Sequence, residues 1–224
     1  MKGDIIHLLN RGVEKRKIFI DEEDYLRFIN NLYDFNNIDN VTLPYQWRRK
    51  LLINEKSEEE LVNILCWCLM PSHHHILSQE KIDSGVSNFS KKIMVGHTRY
   101  FNDKNKRSGV LFQGRSKIIK VTKDVHFDFL PFYIMSNPVK LIEPRWKEEG
   151  IKDFEKVINF LENYKYSSFL DLIGEDNYPQ LINKELFYEL FNTNENKFKK
   201  EFIDWLASYQ FGGNLEVRPP KQVL

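Results

Sequence analysis

The alternation of short strand-like runs with longer helix-like segments constrains the fold of this chain more than any other feature. A short apolar run at residues 5–9 ends in a turn-forming Asn-Arg-Gly and predicts a strand. Apolar side chains then recur at spacings of three and four from Tyr25 to Tyr33, which predicts an amphipathic helix. Two runs rich in β-forming residues follow at 61–70 and 73–79, and the Pro-Ser pair between them predicts a tight hairpin.

The segments that follow continue this order. Residues 83–102 carry an apolar stripe at helical spacing, 116–121 form another strand-like run, and a helix starting at Asp124 is stopped by Asn137 and Pro138. The order strand, helix, strand, strand, helix, strand is that of a split βαβ unit. We therefore predict an α+β fold whose antiparallel sheet, of the ferredoxin-like or RRM-like type, is covered by helices.

The remainder of the chain is mostly helical. Helical spacing predicts further helices over 152–164, 183–191 and 194–209. A tail from Phe211 contains Gly-Gly and Pro-Pro, which are turn and loop signals. We predict one domain over 1–142, with a polar, aperiodic insertion at about 40–60, and a mostly helical C-terminal extension over 143–224.

The 224-residue chain is nearly neutral as a whole but strongly asymmetric in charge. It has 33 Lys and Arg against 32 Asp and Glu, yet residues 90–123 hold ten bases and one acid, a net charge of +9. Residues 141–196 reverse the sign, with twelve acids against six bases. A block this one-sided, interleaved with Tyr100, Phe101 and Phe112, is typical of a surface that binds a polyanion. Solvated helix faces are the alternative explanation.

Composition excludes several classes of protein. With 42% hydrophobic and 14% aromatic residues, the chain can bury a sizeable core, which excludes disordered and collagen-like chains. No apolar run approaches the length needed to cross a bilayer. Cys66 and Cys68 are too close in sequence for an ordinary disulfide and are assigned to the core, so we expect a reduced, cytoplasmic compartment.

The densest group of chemically active side chains is His73-His74-His75, which holds three of the six histidines. Because side chains alternate along a strand, His73 and His75 are predicted to share one face and His74 to lie on the other. Two imidazoles at this spacing can bind one divalent metal, and a polar, His-rich strand edge is the alternative. No Cys or carboxylate lies nearby in the sequence as a third ligand.

A second group lies on the helix that stops at Asn137 and Pro138. Tyr133 and Asn137 are four residues apart and therefore share a helical face. A phenol and an amide oxygen aimed at a pair of histidines would complete a metal-assisted nucleophilic site. The alternative is a core tyrosine followed by an ordinary helix stop, since Asn before Pro commonly ends a helix.

Taken in order, these motifs resemble those of the single-tyrosine HUH transposases, in particular the REP-associated tyrosine transposases and their insertion-sequence relatives. The resemblance covers about residues 5–170. The matching stretches are HLLNRG at 7–12, IF at 18–19, DY at 24–25 with Phe28, CLMPSHHH at 68–75, TRYFN at 98–102, RSG at 107–109, LFQGR at 111–115, Tyr133 with NPV at 137–139, and YSSF at 166–169. Two features depart from the family: His74 stands where a bulky apolar residue is usual, and the stretch at about 40–60 is longer than the usual connection.

The resemblance implies an HUH endonuclease fold and a metal-dependent activity on DNA. His73, His75 and Asn137 would bind Mg²⁺ or Mn²⁺, and histidine ligands suit Mn²⁺ better than Mg²⁺, which prefers oxygen. Tyr133 would be the nucleophile that cleaves a DNA strand and becomes linked to its 5′ phosphate. The 3′-OH of another strand would then attack the tyrosyl ester and rejoin the DNA, so no nucleotide cofactor is needed.

The resemblance also implies a partner, single-stranded DNA beside a hairpin of the REP type. The residues expected to contact this DNA are Arg11, Lys91, Lys92, Arg99, Arg107, Phe112, Gln113, Arg115 and Lys117. The protein is expected to act as a monomer or homodimer in the cytoplasm of a prokaryote, at the nucleoid, with no membrane partner.

Three other functions are alternatives to this one. A domesticated, catalytically silent protein that binds hairpin DNA would not need the two histidines, the tyrosine and the asparagine. An RNA-binding module with the same sheet topology would need paired aromatic residues on exposed strands and would leave the histidine pair without a role. A replication initiator or relaxase would share the HUH chemistry, but the loop and nucleophile-helix motifs fit transposases better.

Overall fold

A computed structural model of the chain describes residues 1–39, 59–122 and 127–210. The insertion predicted at about 40–60 lies almost entirely outside these residues, as do the predicted helix start at Asp124 and the tail from Phe211. Contacts divide the chain into two units, residues 1–64 with 69–121 and residues 65–68 with 122–224. The boundary predicted at residue 142 concerns a functional domain and stays a prediction.

A four-stranded antiparallel sheet forms the framework of the first unit. Its strands are β1 (Ile5–Arg11), β2 (Val62–Met70), β3 (His73–Glu80) and β4 (Lys117–Val121), in the spatial order β2-β3-β1-β4. β1 pairs antiparallel with both β3 and β4. β3 therefore lies between β1 and β2, which is the split βαβ arrangement that the sequence predicts. The α+β class and the antiparallel sheet are confirmed.

Two helices, α1 (Glu22–Asp34) and α2 (Gly85–Lys104), accompany this sheet. α1 begins where the acidic cluster predicts it, because Asp21 and Asp24 form a capping box in which each side chain accepts the backbone N–H of the other. The apolar stripes of both helices are buried: Phe28 of α1 and Phe89 of α2 have no exposed surface. Their burial supplies the hydrophobic stabilisation of this unit.

Among its described residues, the second unit has the middle of β2 as its strand portion and is otherwise built of helices and their connections. The helices described in it are α3 (Leu130–Ser136), a 3₁₀ helix (Asn137–Leu141), α4 (Trp146–Glu149), α5 (Phe154–Leu161), α6 (Phe169–Leu172), a second 3₁₀ helix (Pro179–Leu181), α7 (Lys184–Phe191) and α8 (Glu195–Ala207). The helices predicted over 152–164, 183–191 and 194–209 are confirmed as α5, α7 and α8. Asn183 and Asn194 start the last two, since each side chain accepts the N–H of the residue three positions later.

Aromatic side chains form the core of the second unit. Phe187 and Phe202 are fully buried, and the rings of Phe198 and Trp205 pack around Phe132 with centroids 5.5 and 5.9 Å away. Such pairs add to the stabilisation that burial of their large apolar area provides. No helix among the described residues is long and apolar enough to cross a membrane.

Candidate functional site

The predicted histidine pair lies on one face of the sheet in the first unit. The ring centroids of His73 and His75 are 5.2 Å apart, with the ring planes nearly perpendicular. In the register of the sheet, His73 is opposite Arg11, and Leu9 is opposite both His75 and Lys117. Side chains of directly opposed residues share a face, so Arg11 and Lys117, both exposed, share the face of the two histidines. Two predicted DNA contacts thus accompany the two predicted metal ligands of this unit.

The hairpin turn before β3 is held by the chain that follows β1. The N–H of Gly12 donates to the carbonyl oxygen of Ser72 at 2.8 Å, and the N–H of Ile18 donates to that of Pro71 at 2.8 Å. Position 12 requires glycine, because a Cβ there would lie 2.3 Å from the carbonyl oxygen of Arg16. The histidine pair therefore starts from a turn that is anchored by backbone hydrogen bonds.

Within the histidine pair, Nδ1 of each ring is hydrogen-bonded to another residue of the protein. Nδ1 of His73 lies 3.1 Å from the hydroxyl of Ser72, and Nδ1 of His75 lies 3.0 Å from Nε2 of His7. His7 and His75 are both buried and their rings are stacked. Burial lowers the pKa of His7 to about 3, so its ring is neutral at ordinary pH.

His74 lies on the opposite face, as strand alternation predicts. Its ring packs against Phe28 and Phe112, with centroids 5.1 and 6.1 Å away, and has no exposed surface. Neither ring nitrogen has a hydrogen-bond partner within the described chain. Burial, with smaller contributions from the neighbouring His73 and His97, lowers the pKa of His74 to about 3. The side chain of His74 thus lies in apolar surroundings that would suit a bulky apolar residue, although the histidine ring is polar.

Tyr133 and Asn137 lie in the second unit, at the end of α3 and the start of the 3₁₀ helix. The side-chain Nδ2 of Asn137 donates to the backbone carbonyl oxygen of Tyr133, four residues earlier, at 2.8 Å. Both are buried. Oδ1 is the atom of Asn137 that a hard cation would bind, because the amide nitrogen is a donor with no available lone pair.

The Tyr133 ring has a cation over its face. Nζ of Lys147, on α4, lies 4.2 Å from the ring centroid, well within the range of a cation–π interaction. Burial, with a smaller contribution from Lys140, lowers the pKa of Lys147 to about 8. Lys147 therefore brings a partly buried positive charge to the phenol that the sequence predicts to be the nucleophile.

The two histidines of the first unit are suitable ligands for a divalent metal. His73 and His75 each engage Nδ1 in the fold, which makes Nε2 the nitrogen for a metal, and imidazole nitrogens suit Mn²⁺ and related ions. In the second unit, the amide of Asn137 offers a neutral carbonyl oxygen, which a divalent cation can also bind. In the described parts of the chain, no three His, Cys, Asp or Glu side chains are grouped so that they could hold a metal ion. Asn137 as a third protein ligand stays a prediction.

Six of the predicted DNA contacts have exposed side chains, namely Arg11, Lys91, Arg99, Gln113, Arg115 and Lys117. The loop between α2 and β4 is fastened to the end of β1, where the N–H of Gln113 donates to the carbonyl oxygen of Arg11 at 2.9 Å. The side chain of Asn10 donates to the carbonyl oxygen of Gly114 at 3.0 Å. The loop that carries Gln113 and Arg115 thus lies next to Arg11, at the His73 end of the sheet.

Two predicted basic DNA contacts are instead engaged within the fold. The ammonium of Lys92 donates to the backbone carbonyl oxygens of Asn37, Ile38 and Asp39, beyond the end of α1. The guanidinium of Arg107 donates to the side chain of Asn102 at 2.7 Å and to a backbone carbonyl at 3.0 Å. These hydrogen bonds give both cations a structural role in the fold, and their contact with DNA stays a prediction.

Phe112 is also packed within the fold, and its contact with DNA stays a prediction. Its side chain is only 7% exposed. Its ring packs against His74 and His97, with centroids 6.1 and 6.2 Å away. Its apolar ring is therefore part of the packing against the sheet.

Sequence reasoning missed two residues of the site, His7 and Lys147. His7 lies in the motif at 7–12 but received no role, because its contact with His75 depends on the register between β1 and β3. Lys147 lies fourteen positions after Tyr133, and no spacing rule connects residues on different helices. Only the chain's three-dimensional path brings these two side chains to the predicted ones.

Comparison with known proteins found few matches. No protein-family model matches the chain, and no curated protein matches it. A match among the solved structures is described as a REP-associated tyrosine transposase bound to a REP hairpin. It shares 15% sequence identity, covers 80% of this chain and 84% of that one, and has a TM-score of 0.48. At this level of likeness, the roles of residues in this chain depend on its own geometry.

Proposed function

We propose that this protein is a metal-dependent endonuclease and strand transferase that cleaves and rejoins single-stranded DNA beside hairpins, through a 5′-phosphotyrosine intermediate. The observation that carries the proposal is the sheet face on which two hydrogen-bonded histidines lie in register with exposed Arg11 and Lys117. Imidazole nitrogens beside cationic side chains are suited to holding a phosphate group and a metal ion together. The order of motifs along the chain supports hairpin DNA as the substrate.

In this proposal, His73, His75 and Asn137 hold Mg²⁺ or Mn²⁺. The cation, when bound, would polarise the scissile phosphate as a Lewis acid. Exposed bases position the DNA backbone, since Lys and Arg bind phosphates without regard to sequence. Such a DNA substrate would place the activity at the nucleoid of a prokaryotic cytoplasm.

The reacting group of the chain is the phenol of Tyr133. Its oxygen attacks the scissile phosphorus and loses its proton, the bond from phosphorus to the 3′ oxygen breaks, and that oxygen leaves as a 3′-OH after taking up a proton. The phosphate stays linked to tyrosine, so the 3′-OH of another strand can displace it and rejoin the DNA without a nucleotide cofactor. Hairpin binding positions the phosphate beside the phenol.

Lys147 supports this assignment of Tyr133. A free phenol has a pKa of about 10 and is mostly protonated at neutral pH, so a tyrosine nucleophile benefits from nearby positive charge. The ammonium 4.2 Å from the ring centroid supplies that charge. We expect Lys147→Met to slow single-turnover cleavage by about 10-fold or more, corresponding to the loss of one partly buried charge interaction. Lys147→Arg should restore most of the rate, because it keeps the charge.

The decisive experiment uses single-stranded hairpin DNA labelled at its 3′ end, because the labelled fragment would carry the phosphate that is linked to tyrosine. With Mn²⁺, the wild-type protein should form an SDS-resistant adduct. Tyr133→Phe should form none and should bind the hairpin nearly as well as wild type, because only the attacking oxygen is removed.

Two results would contradict the proposal. An adduct formed by Tyr133→Phe would show that another residue is the nucleophile. Hairpin binding by the wild-type protein, without an adduct across a library of flanking sequences, would favour a catalytically silent DNA-binding protein.

A further inference from the structure

A buried pair of imidazoles connects β1 to the histidine pair. Nε2 of His7 and Nδ1 of His75 are 3.0 Å apart, and the two rings are stacked with centroids 5.1 Å apart and planes 19° apart. A hydrogen bond between two neutral imidazoles contains one hydrogen, which either ring can carry. The pair therefore has two arrangements, and they differ in the chemistry of the outer nitrogen of His75.

Only one arrangement lets His75 bind a metal. If Nδ1–H of His75 donates to His7, Nε2 of His75 has a lone pair and can act as a ligand. If Nε2–H of His7 donates instead, His75 carries its proton on Nε2, and that nitrogen cannot bind a cation. Ligating histidines generally donate their other N–H to a fixed acceptor, and this acceptor sets the tautomer.

The remaining nitrogen of His7 does not oppose the arrangement that binds metal. Nδ1 of His7 is buried and has no hydrogen-bond partner among the described residues. A hydrogen-bond partner at Nδ1 would hold the His7 ring in one tautomer. Among the described residues, the hydrogen bond to His75 is what selects between the two tautomers of His7. The tautomer of His7 therefore follows that of His75.

His73 differs from His75 in the kind of group that is hydrogen-bonded to its Nδ1. Its Nδ1 lies 3.1 Å from the hydroxyl of Ser72. A hydroxyl can donate or accept, so Ser72 accommodates either tautomer of His73. The two histidines of the pair are thus supported in different ways, and Ser72 provides a matched control for His7.

We propose that His7 is a positioning residue: by accepting the Nδ1–H of His75, it holds Nε2 of His75 in the form that binds a divalent cation. This inference rests on the proposed function only in taking His75 as a metal ligand. His7 itself does not touch the metal or the DNA in this arrangement.

The test measures Mn²⁺ affinity by the electron paramagnetic resonance signal of free Mn²⁺, independently of DNA cleavage. His7→Phe keeps an aromatic ring but removes the acceptor, and should weaken Mn²⁺ binding by about 10- to 100-fold. His7→Gln places an amide oxygen near the position of Nε2 and should restore most of the affinity. Ser72→Ala should change the affinity by only a few fold, since the His73 tautomer is not selected by the hydroxyl.

A second measurement follows the tautomers directly. In Mg²⁺-saturated protein with ¹⁵N-labelled histidine, long-range ¹⁵N–¹H correlations should show the proton of His75 on Nδ1 and that of His7 also on Nδ1. Thermal melting of each variant identifies loss of folding, and His7→Met, which also lacks a strong acceptor, replaces His7→Phe if the ring substitution unfolds the protein.

The outcomes separate this inference from the proposed function. Wild-type Mn²⁺ affinity in folded His7→Phe, or a His75 proton on Nε2 in the Mg²⁺-bound protein, would overturn the inference. If His7→Phe loses affinity and His7→Gln regains it, the inference holds even when no DNA cleavage is found. If Mn²⁺ binding is unaffected by His73→Ala and His75→Ala, the metal site of the proposed function and the inference both fail.

Discussion

Histidines on the two faces of β3 have contrasting environments. On one face, His73 and His75 each have a hydrogen-bond partner for Nδ1, in Ser72 and His7. On the other, His74 is buried between aromatic rings, and neither of its nitrogens has a partner within the described residues. A polar ring on the first face can serve chemistry, whereas on the second it costs stability, because burying an unpaired polar group is unfavourable.

This difference explains how three consecutive histidines can belong to one strand. Because side chains alternate along the strand, His73 and His75 lie on a face with polar partners. His74 lies on the other face and packs against apolar side chains of α1 and of the loop before β4. The central position does not need a histidine for the proposed chemistry. We therefore expect substitutions of His75 to affect activity and substitutions of His74 to affect stability.

The largest expected effect separates the two faces by activity. His75→Ala should reduce DNA cleavage with Mn²⁺ by about 100-fold or more, because a metal ligand contributes several kcal/mol to the transition state. His74→Leu should keep wild-type activity, because its side chain lies on the opposite face. Single-turnover cleavage of a labelled hairpin measures both. Equal losses in the two variants would show that the difference between the faces has no functional meaning.

The next effect is the contribution of the buried His74 to the pH dependence of stability. The folded-state pKa of His74, about 3, lies below its unfolded value near 6.5, so stability is full above pH 6.5 and is lost as the pH falls. One such histidine removes about 2 kcal/mol between pH 7 and pH 5. Denaturant unfolding of wild type and His74→Leu at both pH values should show a decrease that is smaller in the variant by about this amount. An identical pH dependence would contradict a neutral, buried His74.

At neutral pH, the same substitution should stabilise the protein by a smaller amount. Leucine removes two unpaired nitrogens from an apolar site, and we expect the free energy of unfolding to rise by about 1 kcal/mol. His74→Ala is the control, since it also removes the nitrogens but leaves a cavity and should be less stable than His74→Leu. A destabilised His74→Leu would indicate that the ring has a polar partner in solution.

The smallest expected effect compares two lysines on β4 that face opposite ways. Lys117 is opposite Leu9 and shares the face of His75, whereas Lys120 is opposite Ile6 and forms an ion pair with Asp4 at 2.8 Å. If the histidine face binds DNA, Lys117→Ala should lower the salt dependence of hairpin binding by about 0.7 in the slope of log affinity against log salt. Lys120→Ala should leave the slope unchanged. Equal changes of the slope in the two variants would show that DNA phosphates do not prefer the face of Lys117 to the face of Lys120.

Local patterns in the sequence predict the strands and the longer helices of the fold, but not the four-residue helices α4 and α6. The acidic cluster at Asp21 starts α1, the Pro-Ser pair makes the hairpin, and Asn183 and Asn194 start α7 and α8. Each of these signals acts within a few residues, because helix caps and tight turns are made by neighbouring side chains and backbone groups. Strand alternation likewise predicted that His74 lies on the opposite face from His73 and His75.

The sequence alone determined the split βαβ order, the positions of its helices and strands, and the residues that can carry the proposed chemistry. Only the tertiary structure decided which of them have partners: His7 beside His75, Lys147 over Tyr133, and Phe112 in the packing against the sheet. These contacts join residues from 14 to 68 positions apart, and they arise from strand register and helix packing. Local periodicity reports which face a side chain takes, but the partner on that face depends on the path of the whole chain.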